Sequence, residues 1–163
     1  SPVPEIAAIG HGHVSYQQLV DTVGQDRVAS CFSFAIVRHP IDRFMSVCAF
    51  LARTDPSYSE DPVGWAKRAF GFERFRQRVL VRPQSELLTN DNGELALSFI
   101  GRYEQLDNDL NLICRELGAP FAQLNRRNVT SNKKPEIYRD IDFLREVETF
   151  YTDDFNLLGY DRS

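Results

Sequence analysis

The stretch Cys31-Phe32-Ser33-Phe34-Ala35-Ile36-Val37-Arg38-His39-Pro40-Ile41-Asp42-Arg43-Phe44-Met45-Ser46-Val47-Cys48-Ala49-Phe50-Leu51 decides the fold. Residues 31–37 form a short β-rich run too continuous to alternate, which predicts a buried, parallel strand. Arg38-His39-Pro40 breaks that run. Residues 41–51 then read as a helix, with Pro40 at or just before its first turn, where a missing N–H does no harm.

Upstream, Ser15 and Gln18 form a capping-box pattern, Leu19 and Val23 lie one turn apart, and Gly24 closes a short helix. Downstream, residues 54–61 carry proline, serine and tyrosine and read as a loop. Helical patterns follow at 65–70 and 72–81, both studded with Arg and Lys, until Arg82-Pro83-Gln84 ends them. Asn90-Asp91-Asn92-Gly93 has turn chemistry. Residues 96–101 read as a second buried strand feeding a helix over 105–117, with Leu106, Leu110, Ile113 and Leu117 as its core stripe and Gly118 as its stop. The stretch 125–135 is polar, basic and irregular. A last amphipathic helix spans 141–151, followed by Phe155, Leu158 and Tyr160 as a packing tail. Strands alternating with helices predict an α/β domain whose partly parallel sheet is flanked by helices.

The chain's 163 residues and 18.7 kDa suit a single domain over 1–163. A formal charge of −4 and a pI near 5.4 argue against a general nucleic-acid partner. No run approaches the ~20 apolar residues of a membrane helix, so no transmembrane segment is expected, and residues 1–5 lack a signal pattern. Cys31, Cys48 and Cys114 are an odd count without metal-ligand spacing. Buried free thiols and a reducing compartment are the expectation, and no metal is implied.

The richest chemistry lies at the turn after Val37. A strand ending in Arg38 throws a guanidinium out at the carboxyl edge of the sheet, where open α/β folds bind ligands. The next helix points its free N–H groups and positive dipole end the same way. Ser46, one turn beyond Asp42, can bring its hydroxyl there. An always-charged fork, a helix start and a hydroxyl make a phosphate clamp. The plainer alternative is an Arg capping the sheet edge and a solvent-facing Ser.

The segment Phe34 to Ser46 resembles the 3′-phosphate-binding segment of carbohydrate sulfotransferases, which use 3′-phosphoadenosine 5′-phosphosulfate (PAPS; product PAP) as sulfuryl donor. The likeness continues at Phe99-Ile100-Gly101-Arg102-Tyr103-Glu104, at Tyr151-Thr152-Asp153-Asp154-Phe155 and at Gly159-Tyr160. The resemblance implies a P-loop-like sulfotransferase fold in which Arg38 and Ser46 hold the cofactor's 3′-phosphate. A carbohydrate or similar hydroxylated acceptor is the implied partner.

His11-Gly12-His13-Val14-Ser15-Tyr16 is similar to the base-carrying segment of the heparan sulfate (uronosyl) 2-O-sulfotransferases. That likeness makes His13 the base for the acceptor hydroxyl and places His11 in the acceptor site. An attacking alcohol must lose its proton, and imidazole chemistry suits the task. The plainer reading is that His13 caps the following helix. The basic loop Asn125 to Pro135 resembles a loop closing over cofactor and acceptor in the same enzymes, with Lys133 as a cofactor contact. A solvated surface loop is the plainer alternative. Asn128-Val129-Thr130 is also a glycosylation sequon, with meaning only in a secreted protein.

The family's other signature, a strand, a loop with Lys, Gly and Thr/Ser, and a helix gripping the 5′-phosphosulfate, does not precede His11. The expectation is a domain incomplete at its N-terminus. The alternative is a non-catalytic nucleotide- or glycan-binding domain of the same fold. A histidine-phosphatase reading of Arg38-His39 fails for want of a second histidine downstream. An acidic chain makes a densely sulfated partner less expected, unless its basic residues gather on one face. The resemblance places a bacterial chain in the cytoplasm and a eukaryotic one in the Golgi lumen, held to the membrane through residues upstream.

Overall fold

A computed structural model of the chain describes residues 4–9, 12–121 and 136–162. The backbone gathers into two units, one of Ser1–Val37 with Gln84–Asn125, the other of Arg38–Pro83 with Arg126–Ser163. In chain order the helices before the first strand are α1 (Pro4–Ala7), α2 (Tyr16–Val23) and α3 (Gln25–Ala29). Strand β1 (Phe34–Val37) leads to α4 (Pro40–Leu51), α5 (Pro56–Glu60), α6 (Pro62–Phe70), α7 (Glu73–Arg76) and α8 (Ser85–Leu88). Strand β2 (Phe99–Arg102) runs through a 3₁₀ turn, Tyr103–Gln105, into α9 (Leu106–Glu116). A second 3₁₀ turn, Glu136–Arg139, precedes α10 (Ile141–Phe150) and α11 (Thr152–Leu158). No described helix is long and apolar enough to cross a membrane.

In the first unit β1 and β2 pair in parallel, Phe34 opposite Phe99 and Val37 opposite Arg102. This is the α/β arrangement expected, a small parallel sheet with helices beside it. The strands are shorter than the apolar runs that announce them. Phe99 N still donates to Ser33 O at 3.1 Å, but beyond that bond the hydroxyls of Ser33 and Ser98 take the place of main-chain partners. Ser33 N donates to Ser98 Oγ at 3.2 Å, and Ser98 N donates to Ser33 Oγ at 3.1 Å. Burial also falls short of expectation, since Phe34 is 43 % exposed while Val37 is 2 % exposed. In α9 only Ile113 of the predicted stripe is buried; Leu106 and Leu110 are half-buried and Leu117 is exposed. The Ser15 box forms as read, with Gln18 N donating to Ser15 Oγ at 3.1 Å and Ser15 N donating to Gln18 Oε1 at 2.9 Å. Gly24, at φ 89°, ends α2 and opens α3, a helix too short to leave a periodic signal.

Gly101 sets the separation of β2 from its neighbours. A Cβ there would stand 2.7 Å from Ile36 Cδ1 and 3.0 Å from Asp109 Cβ. Asp109 reaches from α9 to accept the Arg102 N–H through Oδ2 at 2.5 Å.

In the second unit a core of Ile41, Phe44, Cys48, Phe70, Phe143 and Tyr151 with their neighbours packs α4, α6 and α10. The Phe44 ring meets those of Phe70 and Phe143 edge-on, at 5.6 and 6.1 Å between centres. Residues 54–61 are not a loop throughout. Asp55 caps α5 by accepting the Ser57 N–H at 3.0 Å, and Pro56 takes the first helical position. The predicted helix over 72–81 is real only for Glu73–Arg76. The packing tail is itself helical through Leu158, ended by Gly159 at φ 63°. Cys48 is buried, Cys114 half-buried and Cys31 exposed, so the expectation of three buried thiols holds only at Cys48.

Candidate functional site

Arg38 is half-buried and follows directly on the last residue of β1. His39 then takes the N-cap position of α4 in an extended conformation, φ −48° and ψ 125°, and its side chain makes no cap bond. Pro40 holds the first helical position as expected. The first intrahelical bond closes behind it, Arg43 N donating to His39 O at 2.9 Å. The N–H groups of Ile41 and Asp42 therefore have no carbonyl of their own helix to meet. Twelve residues of aligned peptides add a positive dipole end at that point.

The buried side of α4 is made by Ile41, Phe44, Met45 and Cys48. Ser46 and Asp42, four apart, lie together on the other side, and Ser46 is half-buried. Arg38, the open helix start and Ser46 all belong to the second unit. Asp42 Oδ1 is a buried oxygen with no hydrogen-bond donor among the described residues.

Side-chain contacts hold this segment and the core beside it. The His39 ring meets Phe155 and Tyr160 edge-on, 5.7 and 5.4 Å between centres. Its Nε2 lies 3.3 Å from the Asp161 main-chain oxygen. Arg43 Nη1 donates to Arg82 O at 3.1 Å, and the fully buried Tyr151 hydroxyl donates to Val81 O at 2.5 Å. Burial pushes the Tyr151 phenol well above its usual range, so it remains a donor. His39 thus packs as an aromatic post for the chain's end.

His13 belongs to the other unit, exposed on the segment ahead of α2. Ser15 supplies the cap of that helix, so the capping role is filled without His13. His11, Lys133, the sequon at Asn128 and the rest of the loop 125–135 lie outside the described residues. Sequence reasoning passed over Asp42 as an acceptor and Asp109 as the cap on β2. Both are first-turn helix acids, a position where a carboxylate is favoured for reasons of dipole alone. Nothing local to the sequence separates these two from other such acids.

No curated protein and no solved structure matches the chain. The family model described as the sulfotransferase family matches residues 5–161, a span holding Arg38, Ser46, both strands and the final helices. With nearly its whole length matched, the chain belongs to the sulfotransferase family.

Proposed function

We propose that this chain moves a sulfuryl group from 3′-phosphoadenosine 5′-phosphosulfate to a hydroxyl of a carbohydrate or similar acceptor. The observation that carries the reading is the half-buried Arg38 set directly before the uncapped start of α4, with Ser46 in the second turn of that helix. This donor set suits a phosphate: a guanidinium fork, main-chain N–H groups and a hydroxyl.

When bound, the donor supplies a sulfuryl group on a phosphate leaving group. Arg38 and Ser46 hold the 3′-phosphate, and Lys133 adds charge to the same ligand. His13 takes the proton of the attacking acceptor hydroxyl, and His11 helps to hold the acceptor. A proton acceptor on an exposed segment is open to solvent and to a carbohydrate chain. The test is incubation with the sulfuryl donor and a panel of hydroxylated acceptors, with release of adenosine 3′,5′-bisphosphate as the readout. Release that requires an acceptor is the expected result. Binding of the bisphosphate with no transfer to any acceptor would overturn the enzyme reading.

A further inference from the structure

Beyond the C-terminal end of α4, within the second unit, lies an open cleft of about 520 Å³. Leu51 forms part of its wall and Trp65 and Phe72 give it aromatic surface. Three arginines line it, Arg68, Arg74 and Arg78, against one carboxylate, Asp55. In a chain with a formal charge of −4 this is a local excess of positive charge.

The carboxylate is already engaged. Asp55 Oδ1 accepts the Ser57 N–H at 3.0 Å and the Ser57 hydroxyl at 2.7 Å, and Oδ2 accepts Trp65 Nε1–H at 2.8 Å. Asp55 therefore orients Trp65 while keeping its oxygens turned to those donors. The arginines are differently placed. Arg68 lies 4.0 Å from Asp61, a solvent-exposed pair that leaves its fork largely available. Arg74 stacks over the exposed Phe72 ring at 5.3 Å. Neither Arg74 nor Arg78 forms an ion pair among the described residues. Guanidinium forks beside an aromatic face match an oxyanion carried on a ring with an apolar side. The cavity is of the size that holds a small ligand.

We infer that this cleft is a second binding site, distinct from the Arg38–Ser46 clamp, that takes a carboxylate or sulfate group borne on a saccharide ring. The open start of α4 and Leu51 stand at opposite ends of the helix, roughly 16 Å apart along its axis, so one phosphate cannot lie at both the helix start and the cleft. The oxyanion chemistry stands on the cleft alone, whereas the choice of a saccharide rests on the acceptor class proposed above.

Trp65 is the chain's one tryptophan, so its fluorescence reports on this cleft. The test titrates the whole chain with a glucuronate-containing tetrasaccharide, an uncharged tetrasaccharide and inorganic sulfate. A saturable change with the acidic sugar, weakened at least tenfold in Arg74→Ala/Arg78→Ala, is expected, together with little response to the uncharged sugar. Both substituted residues are exposed, and an unchanged melting curve checks the fold. A response to sulfate but not to the acidic sugar overturns the choice of a saccharide. No saturable change with either anion, or equal affinity in the double variant, overturns the site. Adenosine 3′,5′-bisphosphate affinity, measured on the same samples, should not move in the double variant. Its absence from the unaltered chain would count against the clamp and not against the cleft.

Discussion

His39 Nε2 stands 3.3 Å from the main-chain oxygen of Asp161, across 122 residues of sequence. Together with the ring contacts to Phe155 and Tyr160, this fixes the N-cap of α4 against the end of the chain. His39→Ala removes two edge-on aromatic contacts, each worth about 0.5–1.5 kcal/mol. A loss of about 1–3 kcal/mol is expected, read as a lower urea midpoint at an unchanged slope. An unmoved midpoint would show that the contacts carry no stability.

Gly101→Ala tests the sheet. The new Cβ would crowd Ile36 Cδ1 at 2.7 Å and Asp109 Cβ at 3.0 Å, and overpacking of this kind costs about 1–3 kcal/mol. Ile36→Val removes the crowded methyl. The two changes combined should therefore destabilise by less than their sum in a double-mutant cycle. Strict additivity would place the strain elsewhere.

The thiols should differ sharply in reactivity. Burial pushes the Cys48 thiol up to about 12, whereas Cys31 is exposed. The thiolate is the reactive form, so iodoacetamide at neutral pH should label Cys31 first and Cys48 only after denaturant is added. Mass spectrometry of the labelled peptides decides the order. Early labelling of Cys48 would mean that the core around α4 opens in the native state.

His13→Ala should lower turnover by about a hundredfold to ten-thousandfold, the usual range for a lost general base. Bisphosphate affinity should stay where it was, since the base acts on the acceptor. The melting temperature should also hold, because Ser15 and not His13 caps α2. A variant that melts early but turns over normally per folded molecule would make His13 structural.

Much of this organisation is legible in the sequence where the cause is local. Ser15 with Gln18 and Pro40 at a helix start are read from a few adjacent residues, and the structure bears both out. Asp55-Pro56 is an equally local start signal, yet among serines it reads as a loop until the cap bond to Ser57 is seen. Strand ends are harder. The Ser33 carbonyl still accepts the Phe99 N–H, but its own N–H meets the hydroxyl of Ser98, 65 residues on, where a longer strand would offer a main-chain partner. Leu117 keeps helical spacing with Ile113 yet is exposed, because period alone does not say how far a helix stays against its neighbour. The Arg38–Ser46 segment is legible because helix geometry links its parts. The cleft is not, since Arg68, Arg74 and Arg78 come from separate turns that only packing brings together.

The most direct test of the clamp is calorimetric titration of adenosine 3′,5′-bisphosphate into the unaltered chain, Arg38→Ala and Ser46→Ala. Loss of the charge-assisted fork is worth ~1.5–3 kcal/mol, so Arg38→Ala should bind roughly 10- to 150-fold more weakly. Ser46→Ala should lose less, on the order of 1 kcal/mol, because only a neutral donor is removed. A folded Arg38→Ala chain that binds the bisphosphate as tightly as the unaltered one would contradict the clamp.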